Sequence, residues 1–378
     1  MRLILQVRVL CAVALCVLLC GCGNSFKSTA DCEFSLVSWN VQTFFDAVTE
    51  GCEYAEFKKG GNWNEEKYIE RLKRLCSVIK ELDADVYAFQ EVENEAVLHD
   101  ICNMLAGASW DFSKSWNYSC FSKPEGSAIG CAVLSRFEIS EMTVHALDVR
   151  SQKQKQPSMR YLMQVKLNLG AAGRLISKEK LNSVGEFNPA EELNSAGEIN
   201  SAEGEFILMV NHWKSKSGGA EKTEIWRDWQ ESVLASRLIE LELNGGGRLP
   251  VIACGDFNRD AREFLYCSAL NSGCLKNVVL KAAGLGRKNC IAVYSPWFTE
   301  DGSLSFETGS YYYKDSWEYI DQIFCNDRVC IDSFEPYAKS PLLTTGGIPF
   351  SYKIYTGKGY ADHLPLKCKV KIKNKQQK

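Results

Sequence analysis

The sequence has no CxxC pair, only four histidines in 378 residues, and no large excess of charge of either sign. Without CxxC, a zinc site built from paired thiolates is excluded. With a formal net charge of −3, the chain has no global field for a polyanion. Any such ligand must meet a local basic surface or a bound cation. The most apolar run, Val9 to Leu19, is too short to span a bilayer as a stable anchor. There is also no Gly- or Pro-rich linker outside one polar stretch at 170–204, which argues against a string of separate domains.

What is present begins with an export segment. Arg2 and Arg8 precede the apolar run, and residues 1–21 read as a signal peptide. Leu19-Cys20-Gly21-Cys22 resembles a bacterial lipobox. The resemblance implies that Cys22 is acylated and becomes the new N-terminus, with 22–33 as a tether, so the protein attaches to a membrane without spanning it. Loss of both arginines takes the formal charge from −3 to −5. Of the 17 cysteines, three lie in the signal and one takes the lipid. The 13 that remain cannot all pair, although an exported protein can hold disulfides. Cys76, Cys131 and Cys254 occupy apolar positions and read as small core residues.

From residue 34 onward, strand and helix patterns intermix. Phe34–Trp39, Val86–Phe89, Ala128–Leu134, Tyr161–Leu169, Phe206–Val210, Leu249–Cys254, Trp317–Phe324 and Leu364–Ile372 read as strands. The lysines at 367, 369, 371 and 373 alternate with Cys368, Val370 and Ile372 and suggest an edge strand. A helix capped by Asn64 buries Tyr68, Leu72, Leu75, Cys76, Ile79 and Leu82. Others are expected over Glu95–Leu105, from about Ala261, and over Glu221–Leu243. The last of these has an apolar face of Ile225, Trp229, Val233, Leu234, Leu238 and Leu241, and Gly245–Gly247 stops it. Within 170–204 a polar segment, LNSVGEFNPAEE, is nearly repeated. Two copies cannot build a solenoid, so this is an inserted surface loop. The whole reads as a single α/β domain over 34–373.

Six short polar segments stand just past apolar runs. They are Ser38-Trp39-Asn40, Phe89-Gln90-Glu91, Asn211-His212-Trp213-Lys214, Gly255-Asp256-Phe257-Asn258, Tyr319-Ile320-Asp321 and Ala361-Asp362-His363. Strand ends of one sheet lie side by side, so these groups can gather at one edge, where they suit a hard cation and a phosphate. A carboxylate inside an apolar run, as at Asp321, costs several kcal/mol unless paired. A histidine is its natural partner, because the pair fixes the tautomer and raises basicity. Asp256 and Asn258 project to one side in extended geometry. Lys214 and Lys216 add positive charge beside His212, and Arg227 on the following helix extends it. Tyr311-Tyr312-Tyr313-Lys314 suits phosphate contact and base stacking.

Taken in order, these segments resemble the endonuclease/exonuclease/phosphatase superfamily, the fold of DNase I and abasic-site endonucleases. The resemblance covers about residues 34–373. It implies a four-layer α/β sandwich, two mixed β-sheets packed face to face and flanked by helices, with phosphoester cleavage dependent on Mg²⁺, or on Mn²⁺ or Ca²⁺ in its place. By similarity Glu91, Asn40 and Asp362 serve the metal, Asp321 and His363 form an acid/base pair, and Asp256 and Asn258 position water and phosphate. His212 matches the second histidine of the DNase I-like branch, though the Glu that pairs with it there has no identifiable counterpart. Ala361 stands where Ser is usual. The resemblance points to an exported, lipid-anchored nuclease for DNA or RNA, monomeric and touching the membrane through its lipid alone. A sphingomyelinase-like or inositol-phosphate phosphoesterase is a second reading, and a surface binding protein without turnover a third. The 170–204 insert, with six acidic and three basic residues, is a poor membrane-docking hairpin.

Overall fold

The computed structural model describes residues 32–373 apart from 59–60, 108–114, 148–155, 171–203, 245–248, 267–275 and 283–289. The export segment, Cys22, most of the tether, the body of the insert and the Gly245–Gly247 helix stop lie outside the described residues. Cys32–Lys378 forms one compact unit.

The strands are β1 (Cys32–Phe44), β2 (Val86–Val92), β3 (Tyr118–Ser122), β4 (Gly130–Ser135), β5 (Glu138–His145), β6 (Leu162–Asn168), β7 (Glu205–His212) and β8 (Val251–Asp256). They continue with β9 (Leu265–Tyr266), β10 (Val278–Lys281), β11 (Cys290–Val293), β12 (Tyr311–Tyr313), β13 (Ser316–Glu318), β14 (Asp321–Cys325), β15 (Val329–Pro336) and β16 (Leu366–Ile372). The helices are α1 (Glu65–Leu82), α2 (Glu95–Ala106) and α3 (Ala220–Asn244). One large sheet runs β15-β16-β1-β2-β4-β3 and the other β14-β8-β7-β6-β5. The first core cluster joins Phe34, Leu36, Ala88 and Val133 of one sheet to Val165, Leu208 and Cys254 of the other, and extends to Leu234 and Leu238 of α3. The second joins Val37, Tyr87 and Leu134 to Leu72, Ile79, Leu98 and Ile101 of α1 and α2. The result is a four-layer α/β sandwich with both sheets mixed.

Each sheet contains one parallel pair, and parallel neighbours need a long crossover. Helix α1 supplies it between β1 and β2, and α3 between β7 and β8. Both pairs therefore bring their C-terminal ends out together, and those ends carry Asn40, Glu91, His212 and Asp256. Strand β14 runs antiparallel to β8 and begins at Asp321, which sits opposite Asp256.

Local signals explain the helix starts. Asn64 accepts from Lys67 N at 3.0 Å and Asn94 from Val97 N at 3.1 Å. Helix α1 ends on Asp83, held left-handed at φ 45°. Four expectations are corrected. Strand β16 is not an edge strand: β15 covers its outer side, and Lys369 and Lys371 instead meet Glu33 of β1 across the sheet at 3.6 and 3.7 Å. Trp317–Phe324 is two strands, broken at Tyr319-Ile320, where backbone groups bond to the Asp256–Ala261 turn instead. The helix expected from Ala261 is a single 3₁₀ turn, Ala261–Glu263. On α3, Ile225 is 46% exposed and Trp226 takes the buried position. The eleven described cysteines are all free, and Cys76, Cys131 and Cys254 are buried core residues. Leu169 N donates to Gly204 O at 2.7 Å, so the two ends of the insert meet between the antiparallel neighbours β6 and β7.

Candidate active site

The strand ends converge on one buried acidic cluster. His363 Nδ1 lies 2.8 Å from Asp321 Oδ2, and both side chains are buried. Trp39 Nε1 donates to His363 O at 3.0 Å, tying β1 to the histidine backbone. Burial alone would depress His363, but Asp321, by charge and by hydrogen bond, holds it well above its ordinary value, with Asp256 and Asp362 adding to the effect.

Across from this pair, Asn40 Nδ2 donates to Glu91 Oε1 at 3.2 Å and to Asp256 Oδ2 at 3.1 Å. His212 Nε2 stands 3.7 and 3.6 Å from the same two oxygens. Asn258 donates twice to Asp256, from its backbone N at 2.8 Å and from Nδ2 at 3.0 Å. Burial pushes Asp256 up to about 7. Asp321 and Glu91 repel its charge and push the same way, while His363 opposes them. Burial also raises Asp362, with Glu91 and Asp321 adding repulsion against the pull of His363. His212 is pushed the other way, well below its ordinary value, by burial first and then by Arg160, His363 and Lys214. It is a neutral, fully buried imidazole, and its Nδ1 has no hydrogen-bond partner among the described residues. Among the described residues no Glu stands at that nitrogen as the orienting group that the resemblance implies.

This residue set fits a divalent cation that needs few protein ligands. Two carboxylate oxygens converge on one amide, and the burial that raises Asp256 and Asp362, with the repulsion among their neighbours added to it, disfavours charge that a cation would stabilise. No group of three or more His, Cys, Asp or Glu among the described residues is arranged to hold an ion. Mg²⁺ does not require one, since it binds through one or two carboxylates and keeps several waters. Glu91, with Asp362, would hold it. Asn40 Oδ1 accepts from Gln42 N at 3.0 Å, and Nδ2 faces the carboxylates, so as placed Asn40 braces Glu91 and Asp256.

The expected basic surface is smaller than its sequence suggests. Lys214 is half-buried and lowered, by burial and then by Arg160 and Arg227. Lys216 is held between Glu263 at 3.3 Å and Glu318 at 3.5 Å. Arg227 is a correction. It is fully buried, bonding Thr223 Oγ1 at 2.9 Å, Ala220 O at 2.8 Å and Lys214 O at 3.3 Å, so it braces the loop after His212 and presents no face to a ligand. The cation that does approach the site is Arg160, whose charge bears on His212 and Lys214 and whose side chain bonds Tyr54. It escapes a search for polar groups past apolar runs because it precedes one. Strand β6 is antiparallel to β7, so its N-terminal end reaches the same edge. On the other side, Tyr311 forms a bridge to His363 with ring centroids 4.7 Å apart, and Tyr313 stacks on Tyr311 at 6.3 Å.

Similarity to known proteins accords with this arrangement. The model of the Endonuclease/Exonuclease/phosphatase family matches residues 37–342. Among solved structures, the human Nocturnin catalytic domain with a bound sulfate anion is 15% identical, covers 90% of this chain and 95% of its own, and has a TM-score of 0.50. Truncated Caenorhabditis elegans TDP2 is 15% identical, with 90% and 98% covered and a TM-score of 0.47. A Bacteroides thetaiotaomicron mannosyl-6-phosphatase is 13% identical, with 89% and 99% covered and a TM-score of 0.46. No curated protein matches the sequence. At 15% identity the likeness to the Nocturnin domain speaks for the fold alone; it is the family match, spanning well over half of the sequence, by which the chain belongs to the Endonuclease/Exonuclease/phosphatase family.

Proposed function

We propose that this protein is a Mg²⁺-dependent phosphodiesterase that hydrolyses DNA or RNA, exported and anchored to the cell envelope by a lipid on Cys22. Family membership supports phosphoric ester hydrolysis as the reaction class. The observation that carries the reading is the buried Asp321–His363 pair, 2.8 Å apart, at the same strand edge as Glu91 and Asp256. A divalent cation held by Glu91 and Asp362 would supply charge neutralisation at the phosphoryl and departing oxygens.

The chain's own groups do the rest. Asp321 accepts from His363 Nδ1–H and so directs Nε2 outward as the group that exchanges a proton with water or the leaving group. Asp256, held by Asn258 and Asn40, orients the attacking water. His212, neutral and buried, donates one hydrogen bond to a phosphate oxygen. Arg160 and Lys214 supply the local positive charge that the acidic chain otherwise lacks.

The nucleic-acid reading rests on the aromatic ladder. Tyr313 is 49% exposed and stacks on Tyr311, which leans on His363, and Lys314 Nζ stands 5.3 Å over the Tyr313 ring. A planar base next to the scissile phosphate can continue that stack. Nicking of supercoiled plasmid and degradation of single-stranded RNA, each with Mg²⁺ and with EDTA, beside sphingomyelin hydrolysis, test the proposal. Mg²⁺-dependent cleavage of either nucleic acid is the expected result. Sphingomyelin turnover without nucleic-acid cleavage would overturn it, and turnover of none of the three would favour a binding protein.

A further inference from the structure

Of the five cations on helix α1, Lys67, Arg71 and Arg74 stand four and three residues apart and line one face. All three donate to backbone carbonyls, Lys67 also to Asn62 O just before the helix. Lys67 Nζ donates to Ile354 O at 2.8 Å. Arg74 donates to Gly357 O at 2.7 Å and Gly359 O at 3.2 Å, just before Asp362-His363. Arg71 is the central and most buried of the three, at 1% exposure. It donates to Thr43 O and Val41 O, each at 3.0 Å, and to Gln42 O. Its guanidinium is packed between the rings of Tyr352, at 3.9 Å, and Phe44, at 4.7 Å.

The turn that Arg71 grips is strained. Gln42 and Thr43 stand at φ 54° and 46°, and Glu91 beside them at φ 67°. Non-glycine residues keep such conformations only when their surroundings hold them there. The consequence is a division of the turn's polar groups. Its carbonyls face Arg71, and its amides face the acidic site: Thr43 N donates to Glu91 Oε2 at 2.7 Å and Gln42 N to Asn40 Oδ1 at 3.0 Å. The Gln42 side chain closes the assembly by pairing with both backbone groups of Tyr352, at 2.8 and 3.3 Å.

We propose that Arg71, acting through the left-handed Gln42–Thr43 turn, is the positioning residue that aims Glu91 at the cation. It touches neither cation nor substrate. The inference rests on Glu91 being a cation ligand.

The test is titration calorimetry with Mg²⁺ alone on the full chain, for Arg71→Met, Arg71→Lys, Gln42→Ala and Lys73→Ala. Groups that support a metal ligand are worth about 10- to 100-fold in affinity. Arg71→Met is expected to weaken Mg²⁺ binding by that range, Arg71→Lys to recover part of it, and Gln42→Ala to weaken it severalfold. Lys73 points outward from the same helix to Glu70, and its loss leaves affinity unchanged. Turnover at saturating Mg²⁺ falls less than affinity does, which a general loss of fold would not produce. If Arg71→Met fails to fold, Gln42→Ala decides, since it removes only the clamp. Unaltered Mg²⁺ affinity in the folded Arg71 and Gln42 variants overturns the proposal alone. Absence of Mg²⁺ binding by the parent protein overturns the cation site itself.

Discussion

Replacement of Asp321 by asparagine tests the acid/base pair with almost no change of shape. In the parent, Asp321 Oδ2 lies 2.8 Å from His363 Nδ1, and Asp321 Oδ1 has no hydrogen-bond partner among the described residues. An amide at this position has two orientations, and each carries a penalty. With its oxygen toward His363, the NH₂ group takes the place of the partnerless oxygen, leaving a buried donor unsatisfied at about 1–3 kcal/mol. With its NH₂ toward His363, Nδ1 must become the acceptor. The ring proton then moves to Nε2, and the nitrogen that faces the reaction can no longer take a proton. Either way the negative charge that holds His363 above its ordinary value is gone. Loss of a general acid or base typically costs about 10²- to 10⁴-fold, and turnover is expected to fall within that range. The assay is hydrolysis of bis(p-nitrophenyl) phosphate and nicking of plasmid at saturating Mg²⁺, with a thermal scan to establish that the variant is folded. A folded Asp321→Asn protein that turns over within a factor of about ten of the parent would show that the pair is not the proton-transfer device.

Three further outcomes are expected. Gly255→Ala should fail to accumulate as folded protein or melt far below the parent in a thermal scan, because Gly255 sits at φ 134° and an added Cβ would come within 2.0 Å of Asn211 O. A melting temperature close to the parent's would contradict that geometry. Glu93→Gln should become more stable relative to the parent as pH rises. Burial, with repulsion from Asp46 and Glu53, lifts the Glu93 carboxyl from 4.5 to about 8, so the folded chain keeps a proton that the unfolded chain releases across that window, and stability drains away there. Thermal scans at both ends of the window check it, and an equal difference at each end would refute it. Cys22→Ala should release the protein from the membrane fraction while leaving catalysis by the soluble form intact, as fractionation and the phosphodiester assay report; retention in the membrane fraction would count against the lipid anchor.

The sequence could disclose the site to the extent that strand ends are legible locally. Buried strands show as apolar runs, and their C-terminal polar groups at Glu91, His212 and Asp256 stand out by contrast. Parallel pairing brings such ends to one edge within each sheet, and the Asn40–Asp256 bond joins the two edges across the sheets. Helix boundaries were equally local, since Asn64 and Asn94 cap through contacts three residues away.

Other features were settled by partners distant in sequence. Arg160 precedes its strand, and only the antiparallel pairing of β6 with β7 carries it to the site. Arg227 looks like a phosphate ligand until the α3 packing buries it. The lysine row of β16 has the look of an edge until β15 covers that side. The sequence by itself determined which polar groups stand at the ends of the buried strands and where the capped helices begin, because capping and periodicity act over one or two turns of chain. Only the tertiary structure decided which way Asn40 turns its amide, that Lys216 pairs with Glu263 and Glu318, and that Arg71 holds the Gln42–Thr43 turn. Those outcomes depend on hydrogen bonds and burial between segments tens to hundreds of residues apart, for which local pattern carries no signal.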